Sequence, residues 1–494
     1  VDTQYTNIPR NRGTGYHNRH SYKSRVHAKY SKPEKFADLQ TKKGYFYNAF
    51  HEFARSIIHD IKHYEFPFKY ETEQEKLNLF NNFIDKYPTL LYTRNHISKI
   101  NGELKQRPVY AVDELFLTIE LMLTFPLHIQ ARSKDCAIMH GLETIRGGNA
   151  YLDKLAQEQN FKSFMTIDWT EFDQRLPRVI TDIYFEFLES LITINDGYQP
   201  TYEYPKYDNL KEKDMYEKMN NLLAFLHNWY NNMTFVSQDG YAYRRKHAGV
   251  PSGLLNTQYL DSFANLYILV DALCEYGCTD KQIEEITFFV MGDDNTLMTH
   301  WRSCDLEEFL KFLTEYSFKR YNMKVSINKS IITSLRHKIQ TLSYTCNFGR
   351  PLKDPIKLLA QLVYPERKPK RHVMSYRAIG IAYAACGQHR KLHEICRNIY
   401  TIFLPWIKNM KDEDEIKKYL PSMFTYMEEN LDGIDLGKFP DIEDVQQLVS
   451  IHQGFLKQEP KWKRSHFTDD PEYHRITPKT MRDYRIENNL PKYK

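Results

Sequence analysis

"ITFFVMGDDNTLMTH", residues 286–300, sets two adjacent aspartates, Asp293 and Asp294, behind a glycine and between two apolar, β-prone runs. Gly-Asp-Asp-Asn is good turn chemistry, and two such runs joined by glycine and aspartate form a hairpin with or without a function. The paired charge is the informative part. Carboxylates crowded together away from water repel one another, and such a pair persists by protonation or by binding cations. A three-residue motif is only a hypothesis, so its meaning depends on what the rest of the chain supplies.

Upstream, "FKSFMTIDWTEFDQRLP" (161–177) carries an apolar run, Phe164 to Ile167, that ends at Asp168, with Asp173 five residues further on. Pro177 then opens a helix whose apolar positions, Leu176, Val179, Ile180, Ile183, Phe187 and Leu188, recur with helical period. A buried strand therefore delivers an aspartate at its end. Between the two stretches lies "YRRKHAGVPSGLLNTQYLDSFANLYILVDAL" (243–273). It holds a basic strand with Arg244, Arg245 and Lys246, a Gly-Val-Pro-Ser-Gly loop with Ser252 and Gly253, and then a helix. On that helix Thr257, Asp261 and Asn265 fall at i, i+4 and i+8, one polar stripe on a largely apolar rod. The stripe needs partners, either backbone groups of the core or a ligand.

A strand ending in Asp168, a Ser-Gly loop feeding a polar-striped helix and a Gly-Asp-Asp hairpin, in that order, resemble the palm motifs A, B and C of viral RNA-dependent RNA polymerases. "DWTEFD", "GVPSGLLNTQYLDSFANL" and "MGDDN" are similar to the polymerase of partitiviruses, a family with bisegmented double-stranded RNA genomes. The resemblance covers roughly residues 100–400. It implies template-directed RNA synthesis, with Asp168, Asp293 and Asp294 as ligands of two Mg²⁺ ions, Mn²⁺ being a possible substitute. Hard divalent cations take carboxylate oxygens, and phosphoryl transfer uses two of them to clamp the attacking and leaving oxygens.

The same resemblance assigns Asp173 to the ribose 2′-hydroxyl, the group that separates RNA from DNA precursors. Its usual partner in related polymerases is an Asn four residues after the motif B Thr. Here Asp261 stands at that place and Asn265 one turn further, so the ribose role is divided between them, with Asn265 expected as the donor. Ser252, Gly253 and Thr257 complete the implied nucleotide site. "LKQRPVYAV" (104–112) resembles motif F, in which Lys105 and Arg107 would hold the triphosphate, since Arg suits bidentate phosphate binding. "YNMKVSINKSIIT" (321–333) resembles motif D, with Lys329, or else Lys324, as the general acid for pyrophosphate. Motif E is expected near "TLSYTCNFGR" (341–350). It lacks its usual basic residue, so the RNA-gripping role passes to Arg350 or Lys353, beside Arg244, Arg245 and Lys246 as further RNA contacts.

The implied fold is α+β: a right hand with fingers, an antiparallel palm sheet backed by helices, and a helical thumb. The expected division is a basic N-terminal arm and fingers–thumb bridge over 1–60 and fingers over 61–160. Palm with motif A follows over 161–185, a fingers insertion over 186–245, palm over 246–350, and a helical thumb with a basic tail over 351–494. Residues 36–100 read as helical, and 193–220 as an insertion rather than core. The implied partners are RNA template and product, nucleoside triphosphates and a viral capsid protein. The implied setting is the virion interior and host cytoplasm.

Composition agrees with this and excludes other classes. The chain has 494 residues, 68 Lys and Arg against 63 Asp and Glu, and a net charge of only +5, so the placement of charge matters more than its total. Residues 1–35 concentrate eight Lys and Arg, which suits a polyanion-binding arm and equally a solvated tail. The seven cysteines are scattered without a C-x-x-C pair, which fits a reduced intracellular setting. No apolar signal-peptide region or run of roughly 18 apolar residues is present, which argues against secretion and membrane spanning. The chain begins at Val1, leaving room for an initiator methionine or more ahead of it. His59 and His63 lie at i, i+4 without the glutamate of a zinc motif and read as ordinary histidines. Reverse transcriptases share the palm chemistry, but they lack this Ser-Gly-to-Asn helix and carry a bulky gate where Asp173 favours ribose. A non-catalytic RNA-binding or capsid-associated protein would suit the basic arm, yet has no need of Asp168, Asp293 and Asp294 together.

Overall fold

The computed structural model describes residues 13–31, 42–98, 102, 105–131, 135–139, 142–195, 210–365, 371–406, 438–452 and 477–492. Parts of the basic arm, of the polar stretch after 195, of the acidic region and of the C-terminal tail lie outside the described residues.

Helices α1 (Tyr16–His20), α2 (Tyr22–Ser31), α3 (Lys43–Tyr64) and α4 (Glu73–Lys86) precede a long hairpin, β1 (Thr89–His96) and β2 (Lys105–Ala111). Next come α5 (Glu114–Gln130), α6 (Gly148–Glu158), β3 (Ser163–Thr166), β4 (Trp169–Thr170), α7 (Phe172–Arg175), α8 (Arg178–Glu189) and α9 (Glu212–Asn232). A short hairpin, β5 (Thr234–Val236) and β6 (Ala242–Arg244), leads to α10 (Thr257–Glu275), α11 (Asp280–Glu284) and the hairpin β7 (Thr287–Met291) and β8 (Asp294–Thr299). Helix α12 (Ser303–Tyr321), β9 (Lys324–Val325) and β10 (Ile331–Thr333) follow, then the meander β11 (Gln340–Thr341), β12 (Tyr344–Asn347) and β13 (Arg350–Leu352). The rest is helical: α13 (Pro355–Val363), α14 (Arg371–Ala384), α15 (Arg390–Phe403), α16 (Ile442–Ser450) and α17 (Met481–Glu487).

The palm is an antiparallel sheet in the order β10-β3-β8-β7. Successive side chains of a strand point to opposite faces, and here both faces are covered, which is why these strands read as nearly continuous apolar runs. Met165 and Leu297 join the main core with Leu260, Ala264 and Ile268 of α10 and Leu306, Phe309 and Leu313 of α12. Phe164, Phe289 and Met298 pack the other way, on Leu142, Leu152, Ile339 and Cys346.

Two separate stretches of chain build a second sheet, β2-β1-β5-β6, in which β5 runs parallel to β1. Strand β1 corrects the helical expectation for 36–100. Its polar end, Thr93 to Asn95, hides the alternation until β2 supplies the partner register His96↔Lys105. The insertion reading of 193–220 is also corrected, since Met215 and Tyr216 of α9 are buried with Leu222, Leu223, Phe225, Leu226, Trp229 and Tyr230 in the main core. The polar first turns of this helix, with Glu212, Lys213, Asp214 and Glu217, mask the buried half that follows. The C-terminus departs from the thumb as well: Met481 is fully buried in the same core, and Arg485 Nε meets Glu189 Oε1 at 2.6 Å.

Asp113, at the start of α5, shows how burial tunes a support. Its Oδ1 accepts from Leu115 N at 3.1 Å, and burial pushes its carboxyl up to about 7 from 3.8. Because the folded value is raised, ionisation costs the folded state more than the unfolded one. This penalty is absent below about pH 4 and grows to about 4 kcal/mol above pH 7. Thermal unfolding from pH 4 to 8 should therefore show the wild type losing stability relative to Asp113→Asn; parallel pH curves would contradict it.

Candidate active site

Strands β3 and β8 pair through Met165↔Leu297 and Phe164↔Met298, and the ladder then stops. Beyond it the Asn295 side chain takes over: its Oδ1 accepts from Ile167 N at 2.9 Å and its Nδ2 donates to Ile167 O at 3.0 Å. A side-chain amide thus replaces one rung, and the chain diverges at Asp168. The Asp168 N–H donates to Ser330 Oγ at 3.0 Å, its carbonyl accepts from Ser326 N at 2.8 Å, and β4 then pairs with β9.

The facing turn is equally determined. Met291 pairs with Asp294, leaving Gly292 and Asp293 as a two-residue loop. Gly292 has φ +64°, while Asp293 is not in a positive-φ conformation, the pattern of a hairpin turn with glycine first. Ser262 Oγ accepts from Gly292 N at 2.8 Å, and Asn265 Nδ2 donates to the carbonyls of Gly292 and Asp293 at 3.0 Å each. Asn265 Oδ1 accepts from Trp169 Nε1 at 3.1 Å. Asn265 is fully buried and spends both ends of its amide joining the turn to the strand after Asp168. This corrects its expected role as the ribose donor. Among the polar stripe, Asp261 is the side chain with an unmet acceptor, a buried Oδ1.

Asp168 acts on both Asp293 and Asp294, and Asp293 acts on Asp294. Desolvation first, then repulsion from Asp293 and Asp168, pushes Asp294 up to about 6, and Arg107 pulls it back. Asp293 is raised by desolvation and by Asp173 and Asp168, and again Arg107 opposes the rise. Both side chains reach solvent at the turn, yet the surrounding chain removes enough water for desolvation to lead. Burial, then repulsion from Asp173 and Asp293, raises the Asp261 carboxyl well above its ordinary value, which favours the protonated form. A protonated carboxyl donates a hydrogen bond, which is the capacity an amide would have supplied at that place.

The loop before α10 sits against both neighbours. Ser252 Oγ donates to Asp173 Oδ2 at 2.6 Å, and Val250 N donates to Asp173 O at 2.7 Å. Ser252 O accepts from Tyr110 N of β2 at 3.0 Å. Gly253 has φ +142°, and a Cβ there would lie 2.1 Å from Tyr110 O, so only glycine fits. Thr257 turns inward, its Oγ1 donating to Pro251 O at 2.6 Å.

The basic residues divide sharply. Lys105 and Arg107 are exposed on β2, and Arg107 acts on Asp293 and Asp294. Lys329 Nζ lies 3.7 Å from Asp168 Oδ1, while Lys324 pairs with Thr170 in β9. Lys246 and Arg350 are exposed. One expected RNA contact is corrected, that of Arg245. Arg245 is largely withdrawn from water: its guanidinium donates to Tyr230 O at the end of α9 and packs on Phe235, and burial lowers it to about 10. Cations at a helix C-terminus satisfy its last carbonyls. Arg244 is engaged by Asp85, Asn81 and Thr234, and Lys353 lies over the Tyr344 ring with Nζ 3.3 Å from Ser343 Oγ. Sequence reasoning missed Asn295, Ser262 and Ser330. Their one available signal was polar residues within apolar runs beside the motifs.

Among the described residues no three His, Cys, Asp or Glu side chains gather closely enough to hold a metal ion, and no helix is long and apolar enough to cross a membrane. The three aspartates nevertheless fit divalent cations: their donors are hard carboxylate oxygens, and their mutual repulsion is the strain that bound positive charge relieves.

A family model described as viral RNA-dependent RNA polymerase matches residues 9–400. The chain is 40% identical over 495 residues to the RNA-directed RNA polymerase of Atkinsonella hypoxylon virus, covering 95% of this chain and 72% of that one. It is 28% identical over 335 residues to the RNA-directed RNA polymerase of White clover cryptic virus 1, covering 66% of this chain and 53% of that relative. Among solved structures, the RNA-dependent RNA polymerase of a human picobirnavirus aligns with a TM-score of 0.47 at 15% identity, over 74% of this chain and 65% of that one. The Sicinivirus 3Dpol polymerase aligns with a TM-score of 0.48 at 13% identity, over 68% and 67%.

Proposed function

Because the chain belongs to the viral RNA-dependent RNA polymerase family, with partitivirus enzymes among its relatives, we propose that it copies RNA into RNA by two-metal nucleotidyl transfer. In that role it replicates and transcribes a double-stranded RNA genome. The observation that carries the reading is the placing of Asp168 at a strand end and of Asp293 and Asp294 at a tight turn, both fixed by buried side chains, with Asp168 repelling both turn carboxylates.

In the reaction the primer-strand or initiating 3′-hydroxyl loses its proton and its oxygen bonds to the α-phosphorus of a nucleoside triphosphate. The bond to the β-phosphate oxygen breaks, and pyrophosphate leaves. Asp168, Asp293 and Asp294 would hold two Mg²⁺ ions, or Mn²⁺, whose bound charge stabilises the attacking and leaving oxygens. Arg107 and Lys105 bind the triphosphate, and the opposition of Arg107 to the rise of Asp293 and Asp294 supports its nearness to that charge. Asp173, held by Ser252, and protonated Asp261 offer an acceptor and a donor to the ribose hydroxyls. Lys329 supplies a proton to pyrophosphate. Exposed Lys246 and Arg350 contact RNA phosphates. A capsid-enclosed setting in the virion and in host cytoplasm, with a capsid protein as partner, belongs to the same proposal.

The test is incorporation of labelled nucleotides by the full chain on an RNA template with Mg²⁺, with and without primer. RNA-dependent incorporation with a preference for ribonucleotides is expected. No incorporation across a broad range of Mg²⁺ and Mn²⁺ concentrations, or a deoxyribonucleotide preference, would overturn the reading.

A further inference from the structure

Helix α5 is almost wholly apolar, yet Glu120 sits in its middle with no exposed surface. A buried carboxylate is costly unless its oxygens are satisfied. Glu120 Oε1 accepts from Tyr230 Oη at 2.5 Å, and Oε2 accepts from Leu255 N at 2.8 Å. The Asn256 N–H also favours the charge, against a burial that lifts the carboxyl to about 7. Leu255 and Asn256 end the loop that starts at Gly249 and carries Ser252 onto Asp173. Beside them, Tyr184 Oη donates to Asn256 Oδ1 at 2.9 Å. The loop is therefore tied to Asp173 in the palm, to Tyr110 on β2 and, at its end, to Glu120 inside α5 among other contacts.

We propose that Glu120 is a positioning residue: by accepting from the Leu255 N–H it holds the loop that presents Ser252 to Asp173, and so governs nucleotide affinity and ribose selection without touching the nucleotide. An apolar side chain would fill the same place in α5 without the cost of a buried charge, so packing alone does not explain a glutamate. Tyr230, on α9, satisfies the other oxygen, while the Leu255 N–H ties the carboxylate to the loop. The inference rests on the polymerase reading above.

Three variants of the full chain separate positioning from mere support. Glu120→Met keeps the volume and apolar fit but removes the acceptor. Glu120→Gln keeps an oxygen for Leu255 N–H while its amide donates to Tyr230 Oη. Tyr230→Phe removes the tyrosine hydroxyl and leaves the loop contact. Steady-state incorporation of ribo- and deoxyribonucleotides is measured alongside thermal unfolding. For Glu120→Met the KM for ribonucleotides should rise about tenfold or more and the ribose preference fall about fivefold or more, with kcat within about threefold, since partners behind a site are commonly worth 10–100-fold. Glu120→Gln and Tyr230→Phe should stay within about threefold of wild type in both. Should Glu120→Met not fold, Glu120→Asp, which withdraws the carboxylate by one methylene, takes its place with the same expected direction. Unchanged KM and ribose preference in the acceptor-lacking or shortened variant, or losses that follow only its unfolding temperature, would overturn the proposal while wild-type activity keeps the polymerase reading intact. An inactive wild type would instead remove the reading beneath it.

Discussion

Replacing Asp293 with alanine is expected to lower nucleotide incorporation by about 10³-fold or more, because it removes a charge on which both the attacking and leaving oxygens depend. The fold should survive. Asp293 reaches solvent in a two-residue turn, and the bonds that hold that turn come from its backbone carbonyl and from Gly292, not from its side chain. Its carboxylate also raises Asp294 and Asp261, so its loss should let both ionise more readily and leave stability unchanged or slightly higher. Asp293→Asn should be as inactive as alanine, since it keeps the shape and removes the charge. Single-turnover incorporation at saturating nucleotide, with RNA binding measured in parallel, checks this. Wild-type turnover by either variant would remove the turn from the chemistry.

The elements that carry the three aspartates were legible because sequence marks a strand end and a glycine turn well. The strand before Asp168 and the hairpin around Asp293 are as expected. The amides were less legible. Asn265 and Asp261 stand on one stripe of α10 and look equivalent in sequence, but only packing reveals that Asn265 is consumed by Trp169 and two turn carbonyls while Asp261 keeps an unmet oxygen. Arg245 misled for a related reason. Beside Arg244 and Lys246 it reads as a basic strip, but the C-terminus of α9 claims it, and the first half of that helix lies in a polar stretch that reads as an insertion. Strand β1 was hidden because its evidence is its pairing with β2, across the intervening loop. Glu120 gave one faint sign, an acid in the middle of a largely apolar helix, and its partners lie more than a hundred residues away.

Asn265→Ala should be the most damaging change outside the carboxylates, and it discriminates between the two roles this side chain has been given. Removing the buried amide leaves the carbonyl of Gly292 and the indole N–H of Trp169 without their partner, while the Asp293 carbonyl keeps Asn295 Nδ2 at 3.3 Å. Each of the two orphaned groups costs about 1–3 kcal/mol, so the sum is on the order of 2–6 kcal/mol, a large share of the roughly 5–15 kcal/mol that holds a domain folded. Asn265→Asp should be worse still, because it turns a donor into a charge aimed at two carbonyl oxygens. In the molecules that remain folded the turn loses its tie to the strand after Asp168, and a displacement of about 1 Å at reacting groups costs about 10²-fold in rate. The loss should fall on kcat, with ribonucleotides still preferred over deoxyribonucleotides, because the buried amide does not reach the sugar. Steady-state comparison of the two nucleotide types, below the variant's unfolding temperature, measures both quantities. A collapse of ribose preference with kcat retained would return Asn265 to the sugar and take Asp261 from it.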